Sequence, residues 1–135
     1  MRSDARTEFL GDIIVTAVEG GTGYWAQVSQ YQYDETLLDP KGVRVIVGER
    51  QGDATQATLH ELNDDESGYR DEGLELTLDA VARGIGRIKS GEIGVNSRLR
   101  KEILIGDREN DAGNIDADGA DVIVQAGLLG EIRYG

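Results

Sequence analysis

Six basic residues crowd into the stretch from 83 to 101, which contains a single acid, Glu92. They are Arg83, Arg87, Lys89, Arg98, Arg100 and Lys101. Arg83 and Arg87 are four residues apart, so a helix would place them on one face. A helix that begins nearby, at Asn96 or the next residue, would add free backbone N–H groups that attract negative charge. Two interpretations stay open: an anion-binding site, or bases that pair with acids of this chain or of a second subunit.

An aromatic pair, Tyr24 and Trp25, follows the glycine-rich segment 20–23. Phosphate cradles lead from a strand into a helix, whereas this segment leads from a predicted helix into a strand. We therefore interpret the glycines as a helix stop. The aromatic pair could still stack on a nucleobase or another flat ligand, with core packing as the alternative for Trp25. The predicted ligand-binding residues are Tyr24, Trp25, Arg83, Arg87 and Arg98.

The spacing of Asn114, Asp116, Asp118 and Gly119 resembles the first half of a calcium-binding loop. The twelfth position of such a loop normally holds glutamate, and Gln125 cannot supply that bidentate carboxylate. Acids at these positions are equally typical of a capped helix start, because they lie at the positive end of the helix dipole. We predict no metal site, and the only candidate ligands are Asn114, Asp116 and Asp118.

The chain offers few groups for catalysis. It has no cysteine and one histidine, His60. The absence of cysteine excludes thiol chemistry. A single histidine cannot form a multi-histidine zinc site and gives little basis for Ser-His catalysis. Many carboxylate pairs can be drawn among 26 acids, and no spacing singles one out. We predict a protein without enzymatic activity and without a cofactor.

Strong acidity bears on the choice of partner. Twenty-six acids against 14 Lys and Arg give a formal charge of −12, which should repel bare nucleic acid and anionic membranes. Six of the acids lie in segment 63–75 with one base, Arg70, and predict a mobile acidic loop. Negative potential orients encounters with basic proteins. The predicted partner-binding residues are Asp64, Asp65, Glu66, Asp71 and Glu72.

The first element that positions these residues is a helix over 7–19. Its apolar side chains recur at three- and four-residue spacing, with Thr7 as the expected N-cap and Gly20-Gly21 as the stop. Asp12 interrupts the apolar run, and a membrane span needs about 20 apolar residues. We therefore predict a cytoplasmic protein with no membrane association.

Three strands are expected after that helix. Residues 24–33 alternate with a period of two, 43–47 are rich in β-branched side chains, and 55–62 form the third. A turn at 39–42, Asp-Pro-Lys-Gly, separates the first two. The short connections favour an antiparallel meander.

The second half of the chain predicts three helices. Their expected N-caps are Thr77, Asn96 or Ser97, and Asp116. Residues 122–129 are apolar nearly all round, so the last helix should be central. It should end at Gly130, with a short strand over 131–135. With 135 residues, 39% of them hydrophobic, we predict one α+β domain over 1–135: an N-terminal helix, a three-stranded antiparallel meander and a C-terminal cluster of three helices.

Three segments resemble a known group of sequences: EGGTGYWA over 19–26, the stretch from Asp116 to Gln125, and GEIRYG over 130–135. They resemble small acidic proteins encoded by actinobacteria and their bacteriophages. The resemblance implies a genomic setting and no particular mechanism. Phage accessory proteins of this size often bind and disable a host factor, or sequester a defence signal, which is an expectation for the class and not for this chain alone.

These observations favour a non-enzymatic phage or mobile-element accessory protein that binds and inhibits a host factor through an acidic surface. Its partner would be a host protein with a basic surface. One alternative is a homo-oligomeric protein that binds or sequesters a small anionic ligand, such as a nucleotide or another phosphate compound. A virion-associated structural protein is a further alternative, because composition does not distinguish it.

Overall fold

A computed structural model describes residues 2–33, 54–63, 65 and 67–135. It confirms the predicted α+β class, with an N-terminal helix, a three-stranded antiparallel sheet and a cluster of three helices. The elements are α1 (Asp4–Thr16), β1 (Ala26–Tyr33), β2 (Ala54–Glu61), β3 (Leu74–Thr77), α2 (Leu78–Lys89), α3 (Ser97–Glu109) and α4 (Ala117–Leu129). None of the helices in the described ranges is long and apolar enough to cross a membrane.

Helix α1 starts earlier than predicted. The hydroxyl of Ser3, not that of Thr7, caps it by accepting from the Arg6 backbone N–H at 3.1 Å. A π-helical turn over Ala17–Gly21 extends the helix to the expected glycine stop. A Cβ on Gly21 would lie 2.7 Å from the Ala117 carbonyl oxygen, so glycine lets this end pack closely on the start of α4.

The sheet has the order β1-β2-β3. Antiparallel pairing places Ala26 opposite Glu61 and Leu59 opposite Leu74. The predicted strand over 43–47 and turn over 39–42 lie outside the described residues. The third strand of the observed sheet is β3, which occupies the end of the segment predicted as a loop. That boundary was wrong because Leu74 and Leu76 alternate with polar residues for only four positions, behind a run of acids.

Helices α2 and α4 begin at the predicted caps. Thr77 accepts from the Ala80 backbone N–H at 3.1 Å, and Asp116 accepts from that of Gly119 at 2.9 Å. The two helices lie so close that a Cβ on Gly84 would overlap the carbonyl oxygen of Ile123. Helix α4 is buried over most of its length, as predicted for the central helix.

The start of α3 and the end of α4 also follow local signals. Asn96 is the N-cap of α3, and its side chain accepts from the Leu99 backbone N–H at 2.9 Å. Gly130 ends α4 in the left-handed conformation with φ of 72°. The core between the helices and the sheet contains Phe9, Leu10, Ile13, Ile14, Leu59, Leu76, Val81, Ile85, Ile103, Ile123 and Val124.

The strand predicted over 131–135 is wrong, because these residues follow an irregular path. The buried side chain of Gln125 takes the place of a strand partner. Its oxygen accepts from the backbone N–H groups of Arg133 and Tyr134, each at 2.8 Å. Its amide nitrogen donates to the Tyr134 carbonyl at 3.1 Å. One side chain thus satisfies three backbone groups of the tail.

Candidate functional site

A buried carboxylate, Asp121 of α4, joins the first and last parts of the chain. It is 7% exposed and accepts from the Tyr24 hydroxyl at 2.5 Å, the Trp25 indole N–H at 2.8 Å and the Gln125 amide at 3.1 Å. Asp121 and Gln125 are four residues apart and so share one face of α4. Burial and the bond to Asp121 raise the pKa of the Tyr24 phenol well above its usual range.

The indole of Trp25 is fully buried and stacks on the ring of Tyr134, with centroids 5.0 Å apart and planes 6° from parallel. This is the core packing that the sequence left open as its alternative role. Tyr134 donates from its hydroxyl to Glu61 at 3.1 Å. Burial and this bond raise the pKa of the Tyr134 phenol. The aromatic stack therefore fastens the tail to the segment just before β1, and the hydrogen bond fastens it to the end of β2.

Glu61, the last residue of β2, is a second buried carboxylate and is 7% exposed. Besides Tyr134, it accepts from the guanidinium groups of Arg133 at 2.8 Å and Arg70 at 3.2 Å. Two arginines from different segments are thus held by one acid.

Two cavities flank the exposed edge of this arrangement, and both are lined by Tyr24, Tyr134 and Gly135. The first, the Arg98 cavity, measures about 430 Å³ and is otherwise lined by Gly94, Val95, Asn96, Arg98, Leu99, Asp118, Asp121, Val122 and Ile132. The second, the Arg133 cavity, measures about 550 Å³ and is otherwise lined by Leu62, Asn63, Arg70 and Arg133. Tyr24 is 53% exposed and Ile132 is 37% exposed. The mouth of the Arg98 cavity therefore presents apolar surface beside a guanidinium group.

The structure does not bring the five predicted ligand-binding residues together. Tyr24 and Arg98 line one cavity, and Trp25 lies buried beside it. Arg83 and Arg87 instead bind the C-terminal end of α4. Arg83 donates to the Gly127 carbonyl at 3.0 Å and Arg87 to that of Ala126 at 2.6 Å. Cations here complement the negative end of the helix dipole.

Several bases of the 83–101 stretch have acidic partners within the chain, as the pairing alternative supposed. Arg87 lies 3.4 Å from Glu92, and Lys89 lies 3.3 Å from Asp107. Arg98 pairs with Asp116 at 3.3 Å and with Glu102 at 3.1 Å, and these carboxylates raise its pKa. Arg100 donates to the Lys89 carbonyl at 3.1 Å.

We define the acidic turn as residues 63–73, which connect β2 to β3. Backbone bonds tie its base: Asn63 N–H donates to the Gly68 carbonyl and Arg70 N–H to that of Glu61, each at 2.8 Å. Asp65, Asp71 and Glu72 are exposed. Asp64 and Glu66, the other two predicted partner-binding acids, lie outside the described residues. Hydrogen bonds from Ser67 lower the pKa of the Asp65 carboxyl, which favours its charged form.

Of the three candidate metal ligands, Asp116 is the N-cap of α4. Asp116 accepts from the Gly119 N–H and from Arg98, and both interactions lower its pKa. Gln125, the twelfth residue of the calcium-loop pattern, accepts a hydrogen bond from the Arg133 backbone N–H in the tail. Among the described residues, no three His, Cys, Asp or Glu side chains are grouped so as to hold a metal ion.

Replacing Asp116 with alanine should lower the free energy of unfolding by about 1 kcal/mol, because the N-cap is lost. Asp116→Asn keeps an acceptor at the cap and should retain most of that stability. Since the folded-state pKa lies below the ordinary value of 3.8, the charged form contributes stability above that pH and loses it as pH falls through the folded value. Urea unfolding of the three proteins at neutral and acid pH would show this. A wild-type advantage over Asp116→Ala that stays constant through pH 2 would contradict the assignment.

Sequence reasoning missed Glu61, Asp121, Gln125, Arg133 and Tyr134. Gln125 was the most visible signal, because it is a lone polar residue within an apolar stretch of the central helix. Comparison with protein-family models, with curated proteins and with solved structures finds no match to the chain.

Proposed function

We propose that this chain is a non-catalytic binding protein that occupies a basic surface of a partner protein with its acidic turn. The setting we propose is the cytoplasm of an actinobacterial host, where the chain would act as an inhibitory accessory protein of a phage or mobile element. The sequence resemblance of segments 19–26, 116–125 and 130–135 supports that setting.

One observation carries the proposal: the three described acids of the turn, Asp65, Asp71 and Glu72, are exposed and form no ion pair with a described residue. Asp71 and Glu72 form no ion pair with any residue in the described ranges. The only base of the turn, Arg70, contacts the buried carboxylate of Glu61. Three negative groups therefore remain available to cations of another molecule, and complementary charges steer such an encounter.

The surroundings of His60 also support binding over catalysis. One ring nitrogen lies 3.0 Å from the Arg70 carbonyl, and the other lies 2.7 Å from the Ser29 hydroxyl. Both nitrogens thus form contacts that connect β1, β2 and the acidic turn. A structural role therefore accounts for both hydrogen-bonding contacts of the His60 ring.

The test is capture from an actinobacterial lysate with three forms of the protein. The turn variant carries Asp65→Asn, Asp71→Asn and Glu72→Gln, changes that keep the shape of each side chain. The control variant carries Asp4→Asn, Glu8→Gln and Glu19→Gln, which alter net charge equally at exposed sites on α1 and just after it. We expect one polypeptide to be retained by the wild type and the control and lost with the turn variant.

An effect of about tenfold on affinity is expected, because three exposed ion pairs at about 0.2–1 kcal/mol each sum to roughly 0.6–3 kcal/mol, and tenfold corresponds to about 1.4 kcal/mol. Equal loss with both variants would show that net charge alone, and not the turn, governs retention. Equal retention by all three forms would also overturn the proposal.

A further inference from the structure

Glu61 places two guanidinium groups on the wall of the Arg133 cavity. Removing a carboxylate from water costs several kcal/mol unless it is paired and hydrogen-bonded. Here Arg133, Arg70 and the Tyr134 hydroxyl all donate to Glu61. The side chains of both arginines are nevertheless 40% exposed. The buried acid therefore orients the arginines without enclosing them.

We propose that the Arg133 cavity binds a small organic anion through a carboxylate or phosphate group, with Arg133 as the main anchor. A guanidinium has five N–H donors in a planar fork, so its contacts with Glu61 and Glu131 leave further donors for a ligand. Fixing the fork in advance reduces the side-chain entropy that binding would otherwise cost. Tyr24 and Tyr134, which also line the cavity, would contact the flat part of the ligand.

The balance of charge at the Arg133 cavity permits an anion to bind there. Glu61 and Glu131 offset the charges of Arg70 and Arg133, so the walls are close to neutral in a protein of −12. Repulsion from more distant acids is screened over about 8 Å at physiological ionic strength. Direct contacts with the guanidinium groups then decide whether an anion binds. Asn63 and Arg70 of the acidic turn line this cavity, but Asp65, Asp71 and Glu72, the described acids of the proposed partner contact, do not.

The only tryptophan reports on the site, because Trp25 stacks on Tyr134 at the cavity wall. We would titrate the wild-type protein with phenyl phosphate, benzoate and neutral benzyl alcohol, following tryptophan fluorescence and confirming affinities by calorimetry. If only phenyl phosphate binds saturably, the site takes a phosphate group. If only benzoate binds, it takes a carboxylate. If both bind, the site accepts either group. Failure of both anions to bind, or equal binding of benzyl alcohol, would overturn the proposal.

Variants locate the site. Arg133→Gln should weaken anion binding at least tenfold, and Arg133→Lys, which keeps a cation beside Glu61 but loses the fork, should also weaken it. The matched control is Arg108→Gln, since Arg108 is an exposed base on α3 and lines neither cavity. If Arg133→Gln does not fold, the lysine variant decides. Unchanged affinity for the anion in the folded Arg133 variant would contradict the site. That result would not bear on the proposed function, which the capture experiment with the acidic turn tests separately.

Discussion

Replacing Asp121 with alanine is expected to destabilise the fold by about 3–5 kcal/mol. The change leaves three buried or partly buried donors without their shared acceptor: the Tyr24 hydroxyl, the Trp25 indole N–H and the Gln125 amide. It also removes the group that fixes Gln125, which in turn holds the tail. Chemical denaturation followed by circular dichroism would measure the loss. A domain of this size has a total free energy of unfolding of about 5–15 kcal/mol. The expected loss is therefore a large fraction of that free energy.

The matched control is Asp118→Ala, three residues earlier on α4. The side chain of Asp118 is exposed and forms no ion pair with any described residue, so only a few tenths of a kcal/mol should be lost. Trp25 fluorescence adds a second readout, because loss of its N–H partner and of the stack on Tyr134 should alter the emission. Comparable stability of the two variants would show that the Asp121 interactions do not hold these segments together.

Gly84→Ala should have an effect of similar size, a destabilisation of about 3 kcal/mol. In an isolated helix this substitution stabilises by about 1 kcal/mol, because alanine has the higher helix propensity. Here the added methyl group would overlap the Ile123 carbonyl oxygen of α4. A backbone oxygen cannot rotate away, so α2 and α4 would have to separate and open the core between them.

Gly86, two residues later on α2, supplies the control. It is exposed, and a Cβ there would have no described atom within 4 Å apart from the adjoining backbone of α2 itself. Gly86→Ala should therefore stabilise the protein by about 0.5–1 kcal/mol. Thermal unfolding of both variants measures the two effects with opposite signs. Stabilisation by both substitutions would contradict the close approach of α2 and α4.

The elements that sequence predicted well are those whose signals are local. Thr77, Asn96 and Asp116 each cap a helix by accepting from a backbone N–H three residues later. Such a bond is fixed by the immediate sequence. The last five residues were predicted wrongly because their conformation depends on one distant side chain, Gln125, and not on a strand partner.

The candidate site was harder to predict because its contacts are distant in sequence. Tyr24 and Asp121 are 97 positions apart, and Glu61 and Arg133 are 72 apart. With 26 acids in the chain, no pattern marks Glu61 or Asp121 as the buried ones. Tyr24 was identified from its aromatic character alone. Arg133 was not, since a single arginine in a short tail carries no periodic signal.

The central proposal is that the acidic turn contacts a basic partner surface, and the salt dependence of affinity tests it most directly. We would measure the Kd of the captured partner for the wild type, the turn variant and the control variant across a range of salt concentrations. Screening weakens contacts between charges, so the wild type and the control should lose affinity steeply and equally as salt rises. The turn variant should bind more weakly at low salt and respond less to added salt. An identical salt response for all three proteins would contradict the proposal.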